Sequence, residues 1–229
     1  YILFYSLVQF VDIFFADRKA LEFSNAHYFF WDLFVFVPLS VFITQSEPVR
    51  ALNSAYPPTT LLNRKLVLSL FGNLALAAVF IYSVYALSYH RPTSVEVFEI
   101  QGAMPEDKDS TFYKECEGIF FITGMLNAWG ALLFIKGYPF MQPAWRNYNL
   151  VGWVLLCTVV LFGVIYVRYL GVGYGLENLV NGAFRLLPGE VEFVHAYVVL
   201  TVLCVLVLFA YEKAAVNWLV GVTGRKHSK

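Results

Sequence analysis

Long stretches without ionisable residues alternate with short polar loops along this chain, and no other feature limits the possible folds as strongly. A helix needs roughly 20 apolar residues to cross the hydrocarbon core of a bilayer, and its backbone polar groups must be satisfied within the segment itself. Six segments meet or approach that length, at about 1–15, 26–45, 66–88, 118–135, 150–170 and 193–211. Composition agrees, since 59% of the 229 residues are apolar, 18% aromatic and only 14% charged, far from soluble averages. The expected fold class is therefore all-α, a polytopic membrane helix bundle of about six transmembrane segments. The first segment is shorter than the rest, and neither a Met nor a basic run precedes Tyr1. A helix truncated at the start of the chain is expected there rather than a signal peptide. No soluble domain of any size fits in what is left.

The loops carry opposite signs. Arg50, Arg64 and Lys65, then Lys136 and Arg146, then Lys213, Arg225, Lys226 and Lys229 share one side with only Glu47 and Glu212. The positive-inside rule makes that side, and with it the C-terminus, cytosolic. The opposite loops hold Glu96, Glu99, Glu106, Asp107, Asp109, Glu115 and Glu117, then Glu177, Glu190 and Glu192, which read as solvated lumenal connections. Cys157 and Cys204 fall inside apolar segments and Cys116 beside one, with neither disulfide framework nor zinc spacing. The four histidines are scattered over different segments, so no metal site is expected. The Gly171–Gly175 run follows a membrane span rather than a strand, and reads as a turn rather than a phosphate loop. Nucleic acid is not expected as a partner; the lipid bilayer is.

Polar residues placed where lipid should forbid them carry the functional information. Tyr5, Gln9 and Asp12 stand at spacings of four and three, one face of a helix, with Tyr1 a turn earlier. Asp32 lies about 10 Å inside the second segment, counting from Ala26 at 1.5 Å per residue. An unpaired carboxylate at that depth costs roughly 2.5–3.5 kcal/mol, so Asp32 should face a partner, a cavity or a cation. Pro38 cannot donate to the carbonyl of Phe34, which frees that oxygen and weakens the helix. A broken helix beside an acid is how many transporters bind cations at mid-membrane. Too few oxygen ligands are available for a calcium ion. Aromatic rings such as Tyr28 and Trp31 are abundant instead, and ring faces attract ammonium groups while Asp32 supplies the counter-charge. The pocket suits an organic amine better than a hard metal ion.

The order Tyr5-Ser-Leu-Val-Gln9-Phe10, Phe29-Phe30-Trp31-Asp32-Leu33, Tyr56-Pro57-Pro58-Thr59-Thr60-Leu61-Leu62 and Lys136-Gly137-Tyr138-Pro139-Phe140-Met141-Gln142-Pro143 resembles the C-terminal membrane region of type V P-type ATPases, subgroup B. The resemblance covers nearly the whole chain. It implies that the six segments are the family's fifth to tenth helices, with residues 1–45 on the transport-site side and 46–229 a support bundle with loops and cytosolic tail. It also implies a parent protein that exports polyamines, or another organic cation, from an endosomal, lysosomal or vacuolar lumen to the cytosol through an aspartyl-phosphate cycle. Tyr5 and Gln9 match positions lining the polyamine path, and Asp32 an acidic position of the sixth helix. Where relatives often carry another acid near the lumenal start of that helix, this chain has Asn25, with His27 close by.

The family's Asp-Lys-Thr-Gly-Thr phosphorylation sequence does not occur in this chain. ATP and Mg2+ are expected in the cytosolic domains of the parent, the missing N-terminal part of the same polypeptide, and no catalytic residue is expected here. Two other readings share the pattern: a subgroup A relative that handles membrane helices, and a non-enzymatic six-helix scaffold or channel.

Overall fold

The computed structural model describes residues 1–17, 23, 25–49, 64–89, 110–135, 141–167 and 191–216. The double-proline stretch at 56–62, the acidic residues from Glu96 to Asp109, the Gly171–Gly175 turn and the basic tail lie outside the described residues, as do residues 136–140 of the Lys136–Pro143 loop.

Each of the six apolar segments becomes a helix, because a chain in lipid has no water to satisfy its N–H and C=O groups and must close its hydrogen bonds locally. These are α1 (Ile2–Asp17), α2 (Asn25–Thr44), α3 (Arg64–Tyr89), α4 (Ser110–Leu133), α5 (Tyr148–Tyr166) and α6 (Val191–Ala210). A π-helical turn, Tyr211–Val216, prolongs α6, and a short 3-10 turn, Ala144–Arg146, precedes α5. Four helices, Asn25–Thr44, Lys65–Leu87, Tyr148–Tyr166 and Glu192–Ala214, are long and apolar enough to cross a membrane, and Ile2–Phe14 and Glu117–Leu133 are shorter apolar helices. Among the described residues the only pairing of extended chain is an isolated bridge between Pro48 and Met141. The fold is an all-α membrane helix bundle. Its outward faces are as apolar as its interior: Phe71, Val79, Val159, Val199 and Leu206 are all exposed, as a lipid solvent requires.

α4 is the axis on which the other five helices pack. Ile122, Leu126 and Leu133 meet Phe4 and Val8 of α1, Ile81 of α3 and Tyr197 of α6 in one apolar cluster. Phe120, Phe121, Met125 and Ala128 meet Trp31 and Val35 of α2 and Leu150 and Val154 of α5 in the other. Without a hydrophobic drive between helices in lipid, close backbone approach at small residues decides association. Two glycines of α4 show this directly. A Cβ on Gly124 would sit 2.8 Å from Leu161 of α5, and one on Gly130 would sit 3.2 Å from the Phe4 ring of α1.

α2 and α5 are joined at one end by a polar clasp. The Asn147 side chain caps α5 by accepting from the Leu150 N–H at 3.1 Å, and donates to the Phe42 carbonyl at 2.6 Å and to Ser46 Oγ at 3.1 Å. Asn149 donates to Gln45 Oε1 at 2.9 Å and Gln142 to Glu47 Oε2 at 3.0 Å. Of the last carbonyls of α2, that of Phe42 is thus served by the start of α5, while that of Val41 accepts the Thr44 hydroxyl of the same helix.

Candidate functional site

α2 is not uniform. Asn25–Phe29 is α-helical, Phe30–Phe36 is π-helical, and Val37–Thr44 is α-helical again. Sequence reasoning expects a break at Pro38; the helix instead runs through. Two contacts explain how. The Val37 N–H donates to the Asp32 carbonyl, a five-residue step that takes up the slack of the wider turn. The Phe34 carbonyl, which Pro38 cannot serve, accepts the indole N–H of Trp153 from α5 at 2.9 Å. π-helical turns of this kind cluster at functional sites.

Asp32 sits in the π-helical stretch, and its carboxylate Oδ1 accepts the hydroxyl of Tyr5. The two residues differ in burial: Tyr5 is only 6% exposed, whereas Asp32 is exposed. The Tyr5 ring stacks on Phe36 at 4.4 Å between centroids and 30° between planes, and Tyr1 lies 6.1 Å from Phe36 and 6.4 Å from Tyr5. A carboxylate with an open side therefore stands beside three aromatic rings. That arrangement offers an ammonium group both a counter-charge and π faces within cation–π range. Gln9 lies one turn along α1 from Tyr5, and its Nε2 is buried without a hydrogen-bond partner.

The polar stripe of α1 divides between two neighbours. Tyr5 turns to α2, while Asp12, 1% exposed, turns to α4, where Thr123 Oγ1 donates to its Oδ2 at 2.8 Å. Asn25 is exposed at the start of α2. Tyr28, 39% exposed, meets Phe23 and Trp31 edge to face. Trp31 is fully buried against His27 and Phe120, with ring centroids 5.9 and 5.8 Å away. Trp31 thus belongs to the interface of α2 with α4, whereas Asn25 and Tyr28 lie exposed on the first turn of α2.

Phe36, Thr123 and Trp153 escape sequence reasoning as contributors. Each is a common residue of an apolar segment, and nothing in spacing marks which helix it meets. A polar cleft of about 610 Å3, lined by Gln45, Glu47, Gln142, Arg146 and Asn149 among others, lies at the clasp between α2 and α5. It is more than three helical turns from Asp32 along α2. Among the described residues, no three His, Cys, Asp or Glu side chains converge to hold a metal ion.

No family model matches the chain. It is 28% identical over 188 residues to the polyamine-transporting ATPase 13A2 of Mus musculus, covering 82% of this chain and 16% of that protein. It is 27% identical over 186 residues to the probable cation-transporting ATPase 13A4 of Mus musculus, covering 72% of this chain and 16% of the relative. Cation-transporting ATPase 5 of Schizosaccharomyces pombe is 25% identical over 172 residues, 74% of this chain and 15% of its own length. The chain thus spans about a sixth of the length of the curated relatives it matches.

Proposed function

We propose that this chain is part of the membrane domain of an ATP-driven cation pump, and that its cargo is a polyamine moved from an endosomal, lysosomal or vacuolar lumen to the cytosol. The observation that carries the reading is the Tyr5–Asp32 pair: a carboxylate about 10 Å into an apolar helix, hydrogen-bonded yet open on one side. Lipid is a poor neighbour for that open side, and a cation or a further polar helix is a good one. Similarity to cation- and polyamine-transporting ATPases supports the choice of cargo.

In this reading Asp32 binds one ammonium group of the polyamine. Tyr5 holds the carboxylate in place through its hydroxyl, and Gln9 with the rings of Tyr1, Tyr5 and Phe36 lines the path. Residues 1–45 form the substrate side, and 46–229 support it through α4 and α5. ATP hydrolysis belongs to parts of the parent polypeptide beyond these residues, and the C-terminus faces the cytosol.

The test is ATP hydrolysis by the complete parent protein with and without spermine. Hydrogen bonds to charged groups contribute about 1.5–3 kcal/mol, so Asp32→Asn should raise the half-maximal spermine concentration by at least about tenfold at unchanged expression and membrane insertion. Normal stimulation in that variant removes Asp32 from the site. Stimulation by a hydrophobic peptide in place of spermine favours the helix-handling alternative.

A further inference from the structure

We propose that Asp12, Thr123 and Asn127 form a proton-binding site inside the bundle, separate from the Asp32 pair, in which the Asp12 carboxyl carries the proton and an enclosed water joins it to Asn127. Asp12 follows Phe4 and Val8 at helical spacing on the α1 face that meets α4. Phe4 lies level with Gly130 and Asp12 with Thr123, so α1 and α4 run antiparallel. Asn127, one turn beyond Thr123 on the same face, falls between those two levels.

The two carboxylate oxygens of Asp12 differ. Oδ2 accepts the Thr123 hydroxyl at 2.8 Å, while Oδ1 is buried with no hydrogen-bond partner. Asn127 is fully buried, and both its Oδ1 and its Nδ2 lack partners. Buried polar atoms left unmade in this way call for an unseen water or ion. A water fits the chemistry on both sides, because it needs two to four polar partners and finds an acid hydroxyl at Asp12 with a donor and an acceptor at Asn127.

The charged surroundings select a proton over a metal ion. On α4 the ionisable residue nearest Thr123 is Glu117, itself an acid, six residues before it, and Lys114 stands nine residues away, about 13 Å along the axis. On α3 the one formal charge among the described side chains is Lys65, at the end of the helix shared with the C-terminus of α4; Tyr82 and Tyr85 lie towards the other end. On α2 the groups are His27 and Asp32, the latter engaged by Tyr5, and α6 brings Glu192, His195, Tyr197 and Cys204. No base thus stands within two helical turns of Thr123 on α4, and none lies within Ile2–Asp17 of α1 to balance Asp12; no metal-binding group of His, Cys, Asp or Glu is present among the described residues. Adding a proton to Oδ1 makes the acid neutral, removes the need for a counter-charge, and turns an orphan acceptor into a donor for the water. The proton comes from water: one O–H bond of a hydronium ion breaks as the Oδ1–H bond forms, and a neutral water molecule is released.

Infrared spectroscopy of the complete protein in lipid at neutral pH, without polyamine or ATP, tests the site. The C=O stretching band of a protonated carboxylic acid should be present and should be lost in Asp12→Asn, a variant that keeps the wild-type melting temperature because an amide replaces a neutral acid. Thr123→Val and Asn127→Leu should each move the same band to higher frequency by removing a hydrogen bond. A spectrum that Asp12→Asn leaves unchanged overturns the proposal, as does a band that appears only after Na+ and K+ are removed. Should Asp12→Asn fail to fold, a band unmoved by Thr123→Val overturns it equally. The readout involves neither amine binding nor turnover, so its failure is distinct from failure of the pump reading.

Discussion

The Tyr5 hydroxyl donates to Asp32 while the Tyr5 ring lies against Phe36, so one side chain both aims the carboxylate and builds the wall beside it. Those two tasks can be separated. Tyr5→Phe keeps the stacked ring and removes the hydrogen bond, leaving the carboxylate free to rotate. Hydrogen bonds to charged groups contribute about 1.5–3 kcal/mol, so the half-maximal spermine concentration for ATP hydrolysis should rise about tenfold or more. The maximal rate should change little. An unaltered spermine response would mean that Asp32 needs no orientation by α1. Asp12 shows the opposite use of the same residue type: it is buried, with Thr123 as its partner, where an open carboxylate would be costly.

At the scale of the helix, α2 combines a proline, a seven-residue π-helical stretch and a carbonyl served from another helix. The indole of Trp153 is the remote donor that lets α2 continue past Pro38. Its ring also packs near Phe34 and Phe42, with centroids 5.2 and 5.7 Å away. Trp153→Phe retains much of that packing and removes the N–H, leaving the Phe34 carbonyl unsatisfied at a cost of about 1–3 kcal/mol. Thermal unfolding in detergent should therefore begin at a lower temperature, measured by the near-ultraviolet signal of the remaining tryptophans. An unshifted transition would show that another group takes over the carbonyl. The Asn147 clasp fastens the far end of the same helix, so α2 is tied to α5 at two levels while its acid faces α1.

Over the whole molecule, α4 holds the bundle together and the outer surface is apolar. The turn before α5 carries Trp145, 70% exposed, and Tyr148, 82% exposed, beside Arg146, the aromatic and basic composition of a membrane–water interface. The proposed orientation puts the basic loops on the cytosolic side, so a cysteine placed by Trp145→Cys should react with a membrane-impermeant thiol reagent added from the cytosol, and not from the lumen. Cys157 and Cys204 are buried and should stay unlabelled in intact membranes. Labelling of the introduced cysteine from the lumen alone would invert the orientation.

Helices and their approximate limits were legible in the chain because lipid leaves a backbone few alternatives, and length with hydropathy then suffices. So was the unusual depth of Asp32, since an acid amid Phe, Trp and Leu stands out by residue type. Helical spacing also placed Tyr5, Gln9 and Asp12 on one broad stripe, but periodicity says nothing about which neighbour each residue meets. Only packing assigned Tyr5 to Asp32, 27 residues away, and Asp12 to Thr123, 111 residues away. Likewise, local chemistry shows that Pro38 orphans a carbonyl, and only the tertiary fold supplies Trp153 from 119 residues along the chain. Hydropathy thus determined what must cross the membrane, whereas the partner of each polar side chain was decided by the close approach of helices distant in sequence.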